Sequence, residues 1–172
     1  MVTLQTERLL LRQFRESDLD AYAAICADPE VMRHLGDGKT LGRAEAWRQM
    51  ALILGHWRLR GFGLWAVEES ATGVLIGRVG LFQPEGWPGF ELGWMLRRAS
   101  WGRGYATEGA ACALAHAFTA MRRDHVISLI RPGNAASIRV AERLGEILEG
   151  RTTLFGHDAL VYGIARAAWR PV

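Results

Sequence analysis

Trp101-Gly102-Arg103-Gly104-Tyr105-Ala106-Thr107 is the stretch that decides the reading of this chain. It separates a predicted strand, Phe90 to Leu96, from a predicted helix whose small apolar stripe falls at Ala106, Ala110, Ala113, Leu114 and Ala117. Glycines at 102 and 104 let the backbone approach a ligand, and the amides that open a helix have no partner within it. Such a turn can cradle a pyrophosphate. It is neither of two familiar nucleotide loops: the Gly-Lys-Ser/Thr of a Walker loop is absent, and the dinucleotide fingerprint needs a third glycine where Thr107 stands. On spacing alone the segment reads either as a phosphate cradle or as an ordinary tight turn.

Upstream of the turn, Arg8 to Phe14 predicts a first strand and Glu16 to Cys26 a helix opened by Ser17 or Asp18. Leu41 to Arg60 predicts a longer helix with Ala46, Met50, Ile53, Leu54 and Trp57 on one face, stopped by Gly61. Phe62 to Glu68 and Val74 to Phe82 read as a hairpin around Ser70-Ala71-Thr72-Gly73. Downstream, His125 to Ile130 is a strand, and Pro132-Gly133-Asn134 begins a helix ending at Leu144-Gly145. Ile147 to Phe155 and Ala159 to Ala165 form a closing antiparallel pair. Strands and helices are mixed without strict alternation, which predicts an α+β domain, single over residues 1–172, with a mostly antiparallel sheet.

Composition narrows the function classes. With 172 residues and 49% hydrophobic, the chain can bury a sizeable core. No run approaches the roughly 20 apolar residues of a membrane span, and Met1 to Gln13 lacks a signal pattern, so a cytoplasmic location and no membrane partner are expected. The net charge is only +3 with acidic residues interleaved among the arginines, which argues against a nucleic-acid partner. Cys26 and Cys112 sit in predicted helices and read as reduced, packed thiols. The five histidines show no metal-ligand spacing, so no metal is expected. Trp47, Trp57, Trp65 and Trp94 fit apolar stripes, whereas Trp87 falls in the loop Pro84 to Gly89.

The motifs around the turn, in order, are Thr6-Glu7-Arg8-Leu9-Leu10-Leu11-Arg12, Ser17-Asp18, Asp28-Pro29-Glu30-Val31, Glu91-Leu92-Gly93-Trp94, Trp101 to Glu108, Asn134-Ala135-Ala136-Ser137 with Leu144-Gly145, and Asp158…Tyr162…Trp169. Together they resemble the GNAT acetyltransferases, in particular the ribosomal-protein-alanine N-acetyltransferase-like branch, nearly end to end. The resemblance implies a six- to seven-stranded sheet with about four helices and a splayed central strand pair, Phe90 to Leu96 against His125 to Ile130. It further implies acetyl-CoA as donor, with the pantetheine arm pairing along Met95 and Leu96. In the family's Gln/Arg-x-x-Gly-x-Gly/Ala signature the chain matches at Gly104 and Ala106 and carries Trp101 in the leading position. The amides from Gly102 to Thr107, including those of Arg103 and Tyr105, then fall to the phosphates, with Arg97, Arg98 and Arg103 read either as screening charges or, in preference, as solvated surface arginines.

Acyl transfer from a thioester to an amine needs a deprotonated nucleophile, donors for the carbonyl oxygen and a proton for the leaving thiolate. Glu91 is the candidate base, at a position often acidic in similar enzymes; the alternative is a carboxylate paired with an arginine at the sheet edge. Glu108 reads as structural, near the helix cap. The resemblance implies a backbone N–H near Met95 as the carbonyl donor and a tyrosine as the acid where this chain has Ala141. Asn134 and Ser137 read either as a helix cap or as cofactor contacts, with Ser137 a candidate proton relay ahead of Tyr105 and Tyr162. The segment His34 to Thr40 is a candidate acceptor-side loop.

The function expected is therefore direct acetyl transfer to a primary amine, a protein N-terminus or a small molecule, with a homodimer as a possible assembly. The alternative is a non-catalytic acyl-CoA-binding regulatory domain, motivated by the missing tyrosine.

Overall fold

The computed structural model describes residues 2–170, so the outermost ends of the predicted 1–172 domain lie outside the described residues. Its strands are β1 (Leu4–Gln5), β2 (Leu9–Arg12), β3 (Leu64–Glu69), β4 (Val74–Phe82), β5 (Glu91–Leu96), β6 (His125–Ile130), β7 (Ile147–Leu154) and β8 (His157–Ala165). Its helices are α1 (Leu19–Cys26), α2 (Pro29–Met32), α3 (Arg43–Arg60), α4 (Tyr105–Thr119) and α5 (Ala135–Arg143). The strands form one sheet in the order β1-β2-β3-β4-β5-β6-β8-β7. All neighbours are antiparallel except β5 and β6. The expected α+β architecture is present, with eight strands in place of six or seven because the two-residue β1 escapes a periodicity reading.

The parallel pair carries the functional geometry. β5 and β6 are in register at Glu91 and Ile127, where the Ile127 amide donates to Phe90 O at 3.0 Å. One residue further, a side chain takes over from the ladder: Ser128 Oγ donates to Leu92 O at 2.8 Å. Beyond that wedge the strands part, leaving Met95 and Leu96 on one lip of the opening.

Strand alternation sends successive β4 side chains to opposite faces. Val79 faces α4, where Gly109 packs so closely that an added Cβ would sit 3.4 Å from Val79 Cγ2. Arg78 faces the other way, into a cavity shared with Gln49 and Ile53 of α3. Trp57 Nε1 of α3 donates to Leu64 O at 2.9 Å, and Tyr22 of α1 donates its phenol proton to Gln49 Oε1 at 2.5 Å. These contacts fix α1 and α3 over the face of the sheet that carries Arg78.

Several local expectations are corrected. Asp18 does not simply cap a helix: Arg12 grips both its oxygens at 2.7 and 2.8 Å and the Arg15 amide adds a third contact at 2.7 Å. The segment Glu16–Asp18 is accordingly a tight 3-10 turn, and α1 begins at Leu19. Asp28, read as punctuation, accepts from the Glu30 amide at 2.9 Å and opens α2 with Pro29 in its first turn. Trp47, expected in the core, is 47% exposed, one position round the helix from buried Ala46. Cys26 and Cys112 lie on α1 and α4 as free thiols.

Candidate active site

Two cavities open along the splayed strands and meet. The first, of about 550 Å³, is lined by Met95, Leu96, the turn residues 101, 102 and 104–107, and Asn134 to Ser137 at the start of α5. The second, of about 540 Å³, is lined by Glu91, Trp87, Arg78, Ser128 and residues of α3 and β8. His34, Leu35, Trp94, Asn134 and Ser137 border both. The structure thus gathers the predicted cofactor residues around one cavity, except for the Arg103 side chain.

The turn is built by two left-handed glycines, Gly102 at φ 73° and Gly104 at φ 82°. A side chain at either position would be strained. The first intrahelical bond of α4 runs from the Glu108 amide to Gly104 O at 3.0 Å, which leaves the amides of Tyr105, Ala106 and Thr107 without helical partners. Trp101 lines the cavity, and its indole Nε1 donates to Leu96 O at 2.8 Å, tying the turn to the end of β5. That bond modifies the expected pairing, because the Leu96 carbonyl already has one donor.

Of the two readings of the arginines beside the turn, the surface one fits. Arg103 pairs with Glu69 at 3.1 Å and covers the Tyr105 ring, Arg97 donates to Ser100 Oγ at 3.0 Å, and Arg98 lies 3.7 Å from Asp28. None of the three side chains lines the cavity. Its cations are instead Arg33, Arg139 and Arg143, the last two one helical turn apart on α5. Their i, i+4 spacing was visible in the sequence; which face of α5 met the cavity was not.

Tyr105 contributes backbone only, since its buried phenol donates to Glu69 Oε1 at 2.5 Å. Tyr162 packs with Ile130, Ala141 and Leu160 in a separate cluster and lines neither cavity. Ala141 lies in that cluster too, on the face of α5 opposite Arg139 and Arg143. Glu108 accepts from Thr6 Oγ1 at 2.6 Å and from Arg8 Nε at 2.7 Å, pinning β2 to α4 in the structural role expected of it.

Glu91 lines the second cavity and makes no arginine pair among the described residues. Its Oε2 accepts from Trp87 Nε1 at 2.7 Å. Burial pushes its carboxyl up to about 7, although the Trp87 N–H and the charge of Arg78 both favour ionisation. Trp87, although in a loop, is half-buried against Phe82 and Phe155. Ser137 Oγ accepts from Trp94 Nε1 at 3.2 Å, while its amide donates to Asn134 Oδ1 at 3.2 Å. Asn134 is therefore the helix cap, and both residues also face the cavities.

Beside the cavity arginines, two features escaped the sequence reading, the Ser128–Glu146 pair and Arg78. Ser128 Oγ has one proton and two oxygen neighbours, Leu92 O at 2.8 Å and Glu146 Oε1 at 2.9 Å. One hydroxyl proton cannot serve both oxygens, and a carboxyl that carries its own proton can donate to the hydroxyl while Ser128 donates to Leu92 O. Burial supports this, pushing Glu146 up to about 8, so it is largely protonated at neutral pH. Arg78, the other, was legible only as a lone charge in the apolar run Val74 to Phe82. His56 is structural: the Gln83 amide donates to its Nε2 at 3.1 Å, so Nδ1–H donates to Phe62 O at 2.8 Å. Among the described residues no cluster of His, Cys, Asp or Glu is arranged to hold a metal, and no helix is long and apolar enough to cross a membrane.

Against known proteins, the acetyltransferase (GNAT) domain model matches residues 8–146. The chain belongs to the GNAT family and is an acetyl-CoA-dependent acetyltransferase. It is 33% identical over 150 residues to YkkB of Bacillus subtilis strain 168, an uncharacterized protein, covering 83% of each chain. An acetyltransferase from Agrobacterium tumefaciens C58 superposes with a TM-score of 0.84 at 33% identity, over 95% of this chain and 94% of that one. The ribosomal L7/L12 acetyltransferase RimL in complex with coenzyme A shares the fold, with a TM-score of 0.80 at 18% identity over 95% and 98% of the two chains.

Proposed function

We propose that the protein is an N-acetyltransferase that carries acetyl from acetyl-CoA directly to a primary amine within a ternary complex. The observation that supports this is the meeting of the two cavities at Trp94, Asn134 and Ser137, with Glu91 in one and the glycine turn in the other. A polyanionic donor fits the first cavity: three helix-opening amides and three arginines face it. Acetyl-CoA supplies an activated acyl group and a thiolate leaving group.

The residues of this chain do the rest. The amides from Gly102 to Thr107, with Arg33, Arg139 and Arg143, hold the phosphates, while the edge at Met95 and Leu96 offers its backbone to the arm. Glu91, with a carboxyl near 7, takes a proton from the acceptor ammonium directly or through water. Ser137 offers its hydroxyl proton at the junction, where Trp94 already donates to the same oxygen. The ribosomal-protein branch rests on fold likeness alone, so the reading is kept at the level of a primary amine.

Calorimetric titration with acetyl-CoA, and with dephospho-CoA as control, tests the donor half; a panel of amines scored by CoA release tests the other. Saturable micromolar binding followed by amine-dependent release is expected. A folded, ligand-free sample that binds no acetyl-CoA overturns the reading.

A further inference from the structure

The protein has two arginines among its apolar strands, and they differ in one respect. Arg12 is saturated: Asp18 holds it at 2.7 and 2.8 Å, Glu68 accepts from Nε at 2.8 Å, and Gln13 O accepts from Nη1 at 3.1 Å. Arg78 lines the acceptor cavity, and its buried Nε has no hydrogen-bond partner among the described residues. A desolvated guanidinium with an unmatched donor is costly, and a carboxylate bound by its other nitrogens offsets part of that cost. The other charges around the cavity do not supply it. Glu45, Arg48 and Asp158 sit at the exposed rim, and Arg131 donates to Gly36 O.

Arg78 also has a fixed relation to Glu91. Arg78 pairs with Met95 across β4 and β5, and Glu91 pairs with Phe82, so both occupy one face, four residue steps apart along the strands. That is roughly 14 Å of backbone, within which two long side chains on one face can bracket a small bifunctional molecule. Between them the walls are apolar, with Ile53, Leu64, Phe82, Trp87 and Leu92.

We propose that the acceptor is a free amino acid or close analogue with an apolar side chain, its carboxylate held by Arg78 while its amine faces Glu91. This rests on the acetyltransferase reading above and adds the acceptor class. The reaction balances as acetyl transfer: the ammonium gives one proton to Glu91, the free amine nitrogen forms the amide bond as the thioester C–S bond breaks, and the second proton lost from that nitrogen ends on the departing thiolate. A peptide N-terminus lacks an α-carboxylate at this distance and is the alternative the test rejects or restores.

The test compares matched acceptors: phenylalanine with phenethylamine and phenylalanine amide, and leucine with isoamylamine. CoA release is measured for the native protein, Arg78→Met and Arg78→Lys, with acetyl-CoA binding followed by calorimetry in each. The native protein is expected to favour the amino acids by at least about 10-fold in kcat/KM. In Arg78→Met that ratio falls to near one, mostly through KM, and Arg78→Lys lies between, while all three bind acetyl-CoA alike. Equal or better use of phenethylamine or the amide by the native protein overturns the inference, as does a preference that survives Arg78→Met. Acetyl-CoA binding with no turnover of either acceptor overturns it too. Failure to bind acetyl-CoA instead overturns the acetyltransferase reading itself.

Discussion

Trp87 Nε1 lies 2.7 Å from Glu91 Oε2, so the loop before β5 reaches over to hold the carboxylate at that strand's first residue. The donor favours the ionised carboxylate and opposes the burial that raises Glu91 to about 7. A base must be ionised to accept a proton, so kcat/KM should rise with pH through about 7. Trp87→Phe removes the donor, raises the carboxyl further and moves that limb to higher pH. Glu91→Gln should lose on the order of 10²-fold at neutral pH and less at high pH, where more amine is already free. Profiles of kcat/KM against pH for the three proteins decide it, and superimposable profiles remove Glu91 as the base.

Gly104 sits at φ 82°, and a Cβ there would stand 3.4 Å from the Arg8 guanidinium. A β-branched residue is strained in this region by about 1–2 kcal/mol and would turn the amides of Tyr105 to Thr107 away from the cavity. Gly104→Val should weaken acetyl-CoA binding by at least about 10-fold while the protein stays folded. Calorimetry beside a thermal melt separates the two effects; native affinity in a folded variant would detach the turn from the phosphates.

What was legible in the sequence follows from which signals are local. The turn was legible because left-handed backbone calls for glycine, and β4 and β5 because their apolar runs are bounded by turn residues. For Arg97, Arg98 and Arg103 the sequence left two readings open because nearness to the turn says nothing of direction: Glu69, at the end of β3, takes Arg103 away. Trp47 was misjudged because one residue on a helix is a 100° rotation, enough to carry it from Ala46's buried face to solvent. Glu146 was invisible, since its burial depends on its approach to Ser128, a pairing of distant segments.

Ser137 accepts from Trp94 at the junction of the two cavities, so its own proton is left to be given elsewhere. If it reaches the leaving thiolate, Ser137→Ala should lower kcat by roughly 10-fold with little change in acetyl-CoA affinity. Ser137→Thr keeps a hydroxyl and should restore part of the rate. Single-turnover rates for both variants check this, and an unchanged chemical step in Ser137→Ala would leave water as the acid.

Glu146 is 2% exposed and lies above its ordinary 4.5, at about 8, with burial the main cause. The folded protein therefore keeps a proton that the unfolded chain releases, so this group's contribution to stability is greatest below about 4.5, declines as pH rises toward 8 and levels off beyond. Glu146→Gln has no such proton to lose, and its amide can donate to Ser128 as the neutral acid does. Its stability relative to the native protein should therefore climb by a few kcal/mol between pH 5 and pH 8, on the order expected for a carboxyl shifted this far. The residual decline left in the variant belongs in part to Glu91, raised for the same reason. Urea denaturation at pH 5, 6.5 and 8 measures the difference. Parallel pH dependences for the two proteins would mean that Glu146 is ionised in the fold, and Ser128 would then have to donate to it rather than to Leu92.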